Sequence, residues 1–429
     1  MKLSILSWFG PLKNIKTEVL AGITNFMAIV YIVVVNPLVM NANGHGFPVN
    51  ATITATVITI IVMTIFVGLF VKLPFAVAPG MGFNAILTYN LVIQQKLPIS
   101  IALGVIFWAN VLFLVLALSG VQKYLVKSIP ICLQNALSIG LGCLLVFIGL
   151  KNANIIVSDP ETYVVLGHFS PSYAIALVGI FLAAALFINK KTYALLAPII
   201  IITVIAYLLG ITKIPQHIFS KPDFSLFNTI DILGSLKYSL VPVIFSIFLV
   251  SYFDATTATL ALISQIDLPS EQIKQKLLRR TLISEPIGSI FSSFAGTANG
   301  IIYIESSSGI QLGARTGLAA LITGLLFIPF LFLSPIVNLI PLFATTPTLV
   351  LVGFLMIDHG CRYMSINNLE ESIAVLLTVM MIPLTFSVAS GAVFGILGYV
   401  IIKLLLGKYK EVSLAMLLIA LVCCSWFFI

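Results

Sequence analysis

Fifteen apolar runs follow one another along this chain, most of them about 20 residues long. A helix needs about 20 apolar residues to cross the hydrocarbon core of a bilayer. Charged residues make up only 8 % of the chain, whereas a soluble domain has roughly 25 %. The sequence therefore predicts an all-α polytopic membrane protein. The runs cover 18–40, 52–72, 75–93, 99–118, 132–150, 172–188, 192–211, 238–260, 276–296, 300–313, 316–334, 336–357, 372–388, 389–407 and 411–429.

The positive charges favour one orientation. If the first fourteen runs span the membrane and the N-terminus is cytoplasmic, seventeen of the 22 Lys and Arg residues fall inside and five fall outside. Because Lys and Arg are enriched in cytoplasmic loops, we expect a multi-pass protein of the cell membrane with fourteen spans and a cytoplasmic N-terminus. The net charge of +8 then needs no nucleic-acid partner. The run 411–429 is either a fifteenth span or a helix in the membrane interface.

Fourteen spans divide into seven plus seven, and an odd number per half makes the two halves inverted relative to each other. Asn84 in the third span and Glu305 in the tenth are 221 residues apart. Asn36 in the first span and Asp254 in the eighth are 218 residues apart. A near-constant separation is expected of an inverted repeat.

Two short segments interrupt the apolar sequence with glycine and proline and then carry a polar side chain. Residues 79–84 read Pro-Gly-Met-Gly-Phe-Asn, and residues 296–300 read Gly-Thr-Ala-Asn-Gly before Glu-Ser-Ser-Ser-Gly at 305–309. Irregular backbone is tolerated at membrane depth only where it is buried in protein or lines a watery cavity. Paired interruptions in two halves point to the substrate site of a transporter. The chain is therefore predicted to move a small molecule across the membrane.

Two carboxylates fall inside predicted spans, Asp254 in the eighth and Glu305 in the tenth. An ionised group at mid-membrane costs about 2.5–3.5 kcal/mol on insertion scales, so such groups usually handle ions or substrate. The alternative for Glu305 is a structural one, in which its carboxylate caps the start of a half-helix. Glu285 precedes a proline near a basic segment, and we assign it a structural role.

The coupling ion is left open between two candidates. A carboxyl group removed from water can exchange a proton, which makes proton coupling through Asp254 or Glu305 the main hypothesis. Sodium is the alternative, because unwound carbonyl groups beside a carboxylate and several hydroxyls could supply oxygen ligands, namely those of Thr256, Thr257, Ser306 and Ser307. We expect no resident cofactor and no metal site.

The first break offers groups that suit a planar, amide-bearing ligand. The Asn84 side chain carries both a donor and an acceptor, although a buried Asn is equally able to bond a neighbouring helix. The glycines before it, including Gly82, allow the backbone to approach a ligand closely. Aromatic rings beside the breaks could stack on a planar ring: Phe75, Phe83, Tyr252, Phe253 and Tyr303. The pair Asn36–Pro37 is expected to mark a helix end or kink.

Three segments resemble the signature sequences of the AzgA-like purine permeases, a branch of the nucleobase–cation symporter superfamily. They are Ala-Pro-Gly-Met-Gly-Phe-Asn-Ala at 78–85, Tyr-Ile-Glu-Ser-Ser-Ser-Gly at 303–309 and Gly-Ala-Arg-Thr-Gly at 313–317. The resemblance extends from Thr-Glu at 17–18 through Phe-Ile-Gly-Leu-Lys-Asn-Ala at 147–153 to Met-Met-Ile-Pro-Leu-Thr at 380–385. It covers nearly the whole chain.

The resemblance implies a core domain beside a gate domain, with short extended breaks in spans three and ten. On this basis the first repeat contributes core 1–118 and gate 119–237, and the second contributes core 238–334 and gate 335–407, before a hydrophobic segment at 408–429. Proton symport of adenine, guanine or hypoxanthine and a homodimer are further expectations. The matched positions imply a substrate site of Asn84, Glu305, Asp254, Gly82, Phe83 and Ser306.

One stretch departs from the family pattern, which usually reads Asp-x-Phe-Asp-Thr-x-Gly-Thr in the eighth span. Here Ser251 replaces the first Asp, and residues 255–258 read Ala-Thr-Thr-Ala. The missing glycine changes how closely this span can approach a ligand, so the preferred base is left open. The alternative function is an anion transporter or channel of the related seven-plus-seven fold. An enzyme is not expected, because the sequence has no metal-binding cluster and no phosphate-cradling loop.

Overall fold

The structure is a computed structural model that describes residues 14–119, 130–189, 191, 193–212, 217–237, 240–263, 265–266, 270–362, 364, 366 and 368–424. Several basic residues used to predict the orientation lie outside the described residues, namely Lys2, Lys13, Lys123, Lys127, Lys190 and Lys213. The cytoplasmic position of the N-terminus therefore stays a prediction.

Most of the described chain is helical. The α-helices are α1 Ile15–Ile29, α2 Ile32–Asn41, α3 Val49–Phe70, α4 Met81–Ala85, α5 Ile99–Ser119, α6 Ile131–Asn152, α7 Pro171–Ile188, α8 Ala197–Leu208, α9 Val241–Ile263, α10 Glu271–Ala295, α11 Ser307–Gln311, α12 Gly317–Leu326, α13 Ser334–Asn338, α14 Thr346–Arg362, α15 Leu369–Thr385, α16 Val388–Leu405 and α17 Leu414–Cys424. A π-helix, Ile86–Gln94, continues α4. The strands are β1 Val77–Pro79, β2 Ile156–Asp159, β3 Tyr163–Leu166 and β4 Gly300–Ile302.

The helices follow the apolar runs of the sequence. In the described part, six helical segments are long and apolar enough to cross a bilayer: Ile15–Asn41, Val49–Phe70, Ile99–Ser119, Ile131–Asn152, Pro171–Ile188 and Leu342–Arg362. Shorter apolar helices cover other runs, so the count of fourteen spans stays a prediction. The described part of the last run, α17, has 11 residues. It rises only about 16 Å, roughly half the hydrocarbon thickness.

Two pairs of short strands are present among the described residues: β1 with β4, in the two breaks that are expected to be extended, and β2 with β3, which the sequence does not predict. The predicted polar loop after α6 forms a hairpin in which β2 pairs antiparallel with β3. The Asp159 carboxylate accepts hydrogen bonds from the N–H groups of Glu161 and Thr162 in the turn. These bonds, chiefly those from Thr162, hold the pKa of Asp159 below its usual range.

The first span is interrupted at a different place from the one expected. Asn36 and Pro37 lie inside α2, which continues to Asn41. The interruption falls at residues 30–31, between α1 and α2. Asn36 is fully buried, and its amide donates to the hydroxyl oxygens of Thr56 at 2.5 Å and Thr297 at 3.1 Å. Its side chain therefore bonds neighbouring elements within the fold.

The two predicted breaks pair with each other in the middle of the molecule. Strand β1 from the first break is antiparallel to β4 from the second, with Val77 opposite Ile302 and Pro79 opposite Gly300. Each strand has only three residues, and side chains of neighbouring helices bond the backbone groups that face away from the partner strand. The Thr64 hydroxyl bonds both the N–H and the carbonyl oxygen of Val77, and Ser292 and Ser289 bond the N–H and the carbonyl oxygen of Gly300. An antiparallel pair made from corresponding segments is what an inverted repeat requires at its symmetry axis.

A second contact between corresponding spans involves two glycines. Helices α6 and α14 cross so closely that a Cβ atom on Gly142 would lie 2.5 Å from the carbonyl oxygen of Gly353. A Cβ atom on Gly353 would lie 2.6 Å from the carbonyl oxygen of Gly142. The two distances show that the backbones of the two helices touch at these glycines. Only glycine permits this approach of the two backbones.

Helix packing forms two groups of elements. Helices α1, α3 and α12 pack together and α5 packs on α9 and α10, whereas α6 packs on α14 and α15 and α15 packs on α16. We call these sets the core group and the gate group. The domain boundaries at residues 118, 237, 334 and 407 stay predictions. Between the two groups lies a cavity.

Candidate functional site

The strand pair is fixed by side chains from the second break. The Tyr303 hydroxyl donates to the carbonyl oxygen of Pro79 at 2.5 Å. The backbone N–H of Tyr303 donates to the carbonyl oxygen of Ala76 at 3.0 Å. The N–H of Ala76 in turn donates to the Ser306 hydroxyl oxygen at 2.9 Å. The two breaks therefore behave as one unit, and any change in one is transmitted to the other.

Glu285 supports the same unit from behind. It lies on α10 with 3 % of its surface exposed, and its Oε1 accepts the N–H of Ile302 at 3.2 Å. No partner is found among the described residues for its other oxygen. Its bond to the strand backbone fits the structural role assigned from the sequence.

A buried amide, Asn299, joins three elements next to the breaks. Its Nδ2 donates to the Ser251 hydroxyl oxygen at 2.7 Å, and its Oδ1 accepts from the Asn110 amide at 3.2 Å. Its backbone oxygen accepts the N–H of Gly80 at 2.8 Å. Ser251 lies on α9, three residues before Asp254, at the position where the sequence departs from the family pattern. It is thus a neutral hydrogen-bond partner of Asn299.

The cavity beside the strand pair has a volume of about 570 Å³. Small-molecule sites usually have volumes of roughly 300–1,000 Å³. Both breaks contribute to its wall, together with α6, α9 and α14. Its lining residues are Tyr31, Met81, Gly82, Phe83, Gln134, Asn135, Leu137, Ser138, Leu141, Phe187, Val250, Phe253, Asp254, Ala258, Gln265, Ile301, Ile302, Tyr303, Ile304, Glu305, Ser307, Val352, Leu355, Met356, Asp358, His359 and Arg362.

Both predicted intramembrane carboxylates lie in this wall. Asp254 comes from α9, and no hydrogen bond to another described residue is found for it. Glu305 lies in the 3₁₀ turn that links β4 to α11. Its Oε1 accepts a hydrogen bond from the Tyr31 hydroxyl at 3.3 Å. The cavity is therefore bordered by three acids. No hydrogen-bond partner for Asp254 is found among the described residues, Glu305 is held by a tyrosine, and Asp358 pairs with Arg362.

Gly82 and Phe83 form the facing part of the wall from the first break. A Cβ atom on Gly82 would lie 3.1 Å from the end of the Leu141 side chain, so the helix approaches α6 closely here. The Phe83 ring is 2 % exposed and borders the cavity. This side of the wall is apolar and aromatic, in contrast to the acidic side.

Asn84 and Ser306 do not line the cavity in this structure. Asn84 directly follows the lining residue Phe83 in the chain and is fully buried. Its amide nitrogen is 3.8 Å from the Met81 sulfur, and no partner is found for its Oδ1 among the described residues. Ser306 is directed to Ala76, as described above. Direct contact of either residue with a substrate stays a prediction.

Only some of the aromatic residues that the sequence predicts at the site line the cavity. Phe83, Phe253 and Tyr303 line the cavity, whereas Phe75 is fully buried elsewhere and Tyr252 packs edge-on against Phe113. Sequence reasoning did not select Tyr31, nor several polar groups on the gate side, because no break or charge marks them. These residues are Gln134, Asn135, Ser138 and His359.

The two ends of the cavity differ. At one end lie residues from the last turn of α14, where Arg362 pairs with Asp358 at 2.8 Å and its side chain is 72 % exposed. An aromatic cluster that does not line the cavity lies toward the opposite ends of α6 and α14. Tyr89 of the π-helix lies 6.0 Å, between ring centroids, from Phe386 at the end of α15. The Lys151 ammonium lies 5.7 Å from the Tyr89 ring centroid and 5.6 Å from that of Phe386.

The structure has two broken segments that pair with each other, two facing groups of helices and a partly acidic cavity between these groups. These features define a transporter of the inverted-repeat type. The chain belongs to the Permease family, whose sequence model matches residues 16–394. This is a family of multi-pass membrane transporters and not of enzymes. The family expected from the signature segments is thereby confirmed.

Curated relatives match along nearly their whole length. The chain is 37 % identical to a putative permease of Methanocaldococcus jannaschii over 95 % of this chain and 94 % of the relative. It is 34 % identical to the adenine permease AdeP of Escherichia coli over 95 % and 91 % of the two chains. It is 32 % identical to the guanine/hypoxanthine permease PbuO of Bacillus subtilis over 93 % and 94 %.

Solved structures with the same fold are more distant in sequence. The transmembrane domain of the cyanobacterial bicarbonate transporter BicA superposes with a TM-score of 0.63 at 17 % identity, covering 89 % of this chain and 98 % of that one. Murine Slc26a9, an anion transporter in the inward-facing state, gives a TM-score of 0.63 at 13 % identity, covering 95 % and 70 %. At these identities the likeness concerns the fold alone.

Proposed function

We propose that this protein imports purine nucleobases, namely adenine, guanine or hypoxanthine, by proton symport with alternating access. The observation that carries the proposal is the cavity between the groups, with Asp254 and Glu305 on one side and the Phe83 ring on another. A purine presents ring N–H donors at its edge and a flat face for stacking. The relatives named as adenine and guanine/hypoxanthine permeases support the same substrate class.

In this proposal the base lies against Phe83, and Glu305 accepts a ring N–H. The backbone at Gly82 allows the ring to approach, since no side chain intervenes at that position. A buried carboxylate that loses its donor costs more than the bond itself contributed, so analogues without the N–H should be strongly rejected. Asn84 and Ser306 act from behind the wall, through the geometry of the breaks.

Asp254 is the proposed protonation site. A carboxylate in a confined cavity without a partner carries its charge at a cost, which a proton relieves. The sodium alternative has less support from the geometry. Of the hydroxyls that it would need, those of Thr256 and Ser306 do not line the cavity, whereas that of Ser307 does. The Thr257 side chain lies outside the described residues.

Alternating access is supported by the difference between the two ends of the cavity. The end near Arg362 is the one that the positive charges predict to be cytoplasmic. The aromatic cluster toward the other end of α6 joins the two groups, since Tyr89 belongs to the π-helix, which packs on α5 of the core group, and Phe386 and Lys151 belong to the gate group. We infer that the structure is inward-facing and that this cluster separates when the site opens outward.

The anion-transport alternative finds little support in the charges of the wall. The described lining residues include three acids, Asp254, Glu305 and Asp358, and one arginine, Arg362, which is paired with Asp358. The other arginine near the second break, Arg315, does not line the cavity. Its guanidinium donates to the carbonyl oxygens of Ile310 and Ala314.

The test is uptake of labelled adenine, guanine and hypoxanthine by cells that lack their own purine permeases. We expect Glu305→Gln to reduce uptake about 10- to 150-fold, because the acceptor becomes a partial donor and a hydrogen bond to a charged group contributes about 1.5–3 kcal/mol. Asp254→Asn should abolish concentrative uptake, and a protonophore should do the same to the wild type. Glu161→Gln and Asp159→Asn in the exposed hairpin are the matched controls.

Full, concentrative uptake by both cavity variants would refute the assigned roles. Rapid uptake of bicarbonate or chloride by the wild type, without uptake of any purine, would favour the anion alternative. If concentrative uptake required external sodium and survived the protonophore, sodium would replace the proton as the coupling ion.

A further inference from the structure

Tyr31 occupies a special position in the wall of the cavity, although no break, charge or family segment marks it in the sequence. Its side chain is fully buried, and it is the one described side chain that donates a hydrogen bond to the Glu305 carboxylate, at 3.3 Å. The two residues are 274 positions apart in the chain. The bond therefore depends on the packing of the first span against the second break.

The interruption of the first span explains how the ring reaches this place. Between α1 and α2 the carbonyl oxygen of Val30 accepts from the N–H of Val33, and that of Tyr31 accepts from the N–H of Val34. These contacts tighten the helix by one residue, as in a 3₁₀ turn. A local change of helical pitch redirects the side chain at that position, and tightened turns within helices often mark functional sites.

We propose that Tyr31 is a positioning residue for substrate recognition: its hydroxyl fixes the Glu305 carboxylate so that Oε1 is engaged and Oε2 is presented to the base. The inference rests on the proposed purine transport and deepens it. A carboxylate with both oxygens free can accept two parallel N–H groups from one edge of a ligand. The bond from Tyr31 fixes the plane of the carboxylate, so Oε2 is presented in one direction, which suits a base that offers a ring N–H along that direction.

The neighbouring Tyr303 provides a matched comparison. It lies in the same wall, but its hydroxyl donates to the backbone oxygen of Pro79. Tyr31→Phe and Tyr303→Phe thus remove the same oxygen atom from two sides of one site. The first removes a bond to the carboxylate, and the second removes a bond that holds the strand pair.

The experiment measures KM and Vmax for uptake of each labelled base, normalised to the amount of protein in the membrane. Tyr31→Phe is expected to raise KM about tenfold with Vmax within about twofold, because a hydrogen bond to a charged group is lost. Tyr303→Phe is expected to lower Vmax and thermal stability with KM within about threefold. The dissociation constant of the purified proteins for the same base should change in parallel with KM.

Selectivity gives a readout that a structural role alone would not change. With the wild type, adenines methylated at N1, N3, N7 or N9 should differ strongly in how well they compete for uptake. A methyl group that blocks the recognised N–H prevents binding. With Tyr31→Phe the carboxylate can turn. The spread of inhibition constants, meaning the ratio of the weakest to the strongest among the four analogues, should therefore fall at least fivefold.

An unchanged KM and an unchanged spread among the analogues, with Tyr31→Phe present in the membrane at wild-type amounts, would overturn the role of Tyr31. Absence of purine uptake and binding by the wild type would instead overturn the proposed function. The two failures are therefore distinguishable. If the Tyr31→Phe protein transports too slowly for kinetics, its dissociation constants for the base and for the four analogues still test the role of Tyr31.

Discussion

The two breaks have corresponding backbones but different chemistry. Both contribute a three-residue strand to the antiparallel pair, followed at once by a short turn of helix. The first break gives the cavity an apolar wall through Gly82 and Phe83, and its polar residue Asn84 is buried behind that wall. The second gives it Glu305. An inverted repeat can thus keep its geometry while each copy acquires a different task.

The continuation of each break differs as well. The first continues into the π-helix Ile86–Gln94, whose Tyr89 lies in the aromatic cluster that we propose to close the cavity toward the outside. The second continues into α11, which ends after five residues. We therefore associate the first break with closure and ring stacking, and the second with recognition of the ligand's N–H groups.

The largest effect is expected from locking the closed end. In a protein whose five cysteines have been replaced, Tyr89→Cys combined with Phe386→Cys should be joined by a short, reducible bifunctional thiol reagent, because the two rings are 6.0 Å apart. The link connects the core group to the gate group. Purine uptake should fall below about 5 % of the unlinked protein and return when the link is reduced.

A second cysteine pair controls for the chemistry of the link. Phe147 and Phe386 are also close, with ring centroids 5.0 Å apart, but both belong to the gate group. Linking Phe147→Cys to Phe386→Cys should leave at least half of the uptake. Equal inhibition by the two pairs would contradict the view that Tyr89 and Phe386 separate during transport.

An intermediate effect is expected at the apolar wall. Phe83→Leu should raise KM about fivefold, because stacking of aromatic rings contributes about 0.5–1.5 kcal/mol beyond area burial. Phe75→Leu, just before the same strand and fully buried outside the lining, is the matched control. It should lower thermal stability by about 1 kcal/mol and leave KM unchanged. A similar rise in KM for both variants would mean that Phe83 acts through packing alone.

Much of this arrangement could be predicted from sequence. The apolar runs located the helices, and the Gly-Pro segments located both breaks, because hydrocarbon strongly restricts irregular backbone. Asp254 and Glu305 stood out as charges in apolar surroundings, and both line the cavity. The pairing of β1 with β4 had no local signal, since each strand is three residues long and its partner is more than 200 residues away. Tyr31 is an ordinary tyrosine in an apolar run, and only the three-dimensional packing brings it to Glu305.

The smallest effect is expected at Asn84. This prediction distinguishes residues that line the cavity from residues that lie behind its wall. Asn84→Ala should keep KM within about twofold and stability within about 1 kcal/mol, because its amide has only a weak contact to the Met81 sulfur. Asn299→Ala, which removes the bonds to Ser251 and Asn110, should cost about 2 kcal/mol or more. Thermal unfolding and uptake kinetics of both variants measure the difference. A tenfold rise in KM for Asn84→Ala would show that the amide reaches the base during transport, and would assign ligand recognition to both breaks rather than to the second one alone.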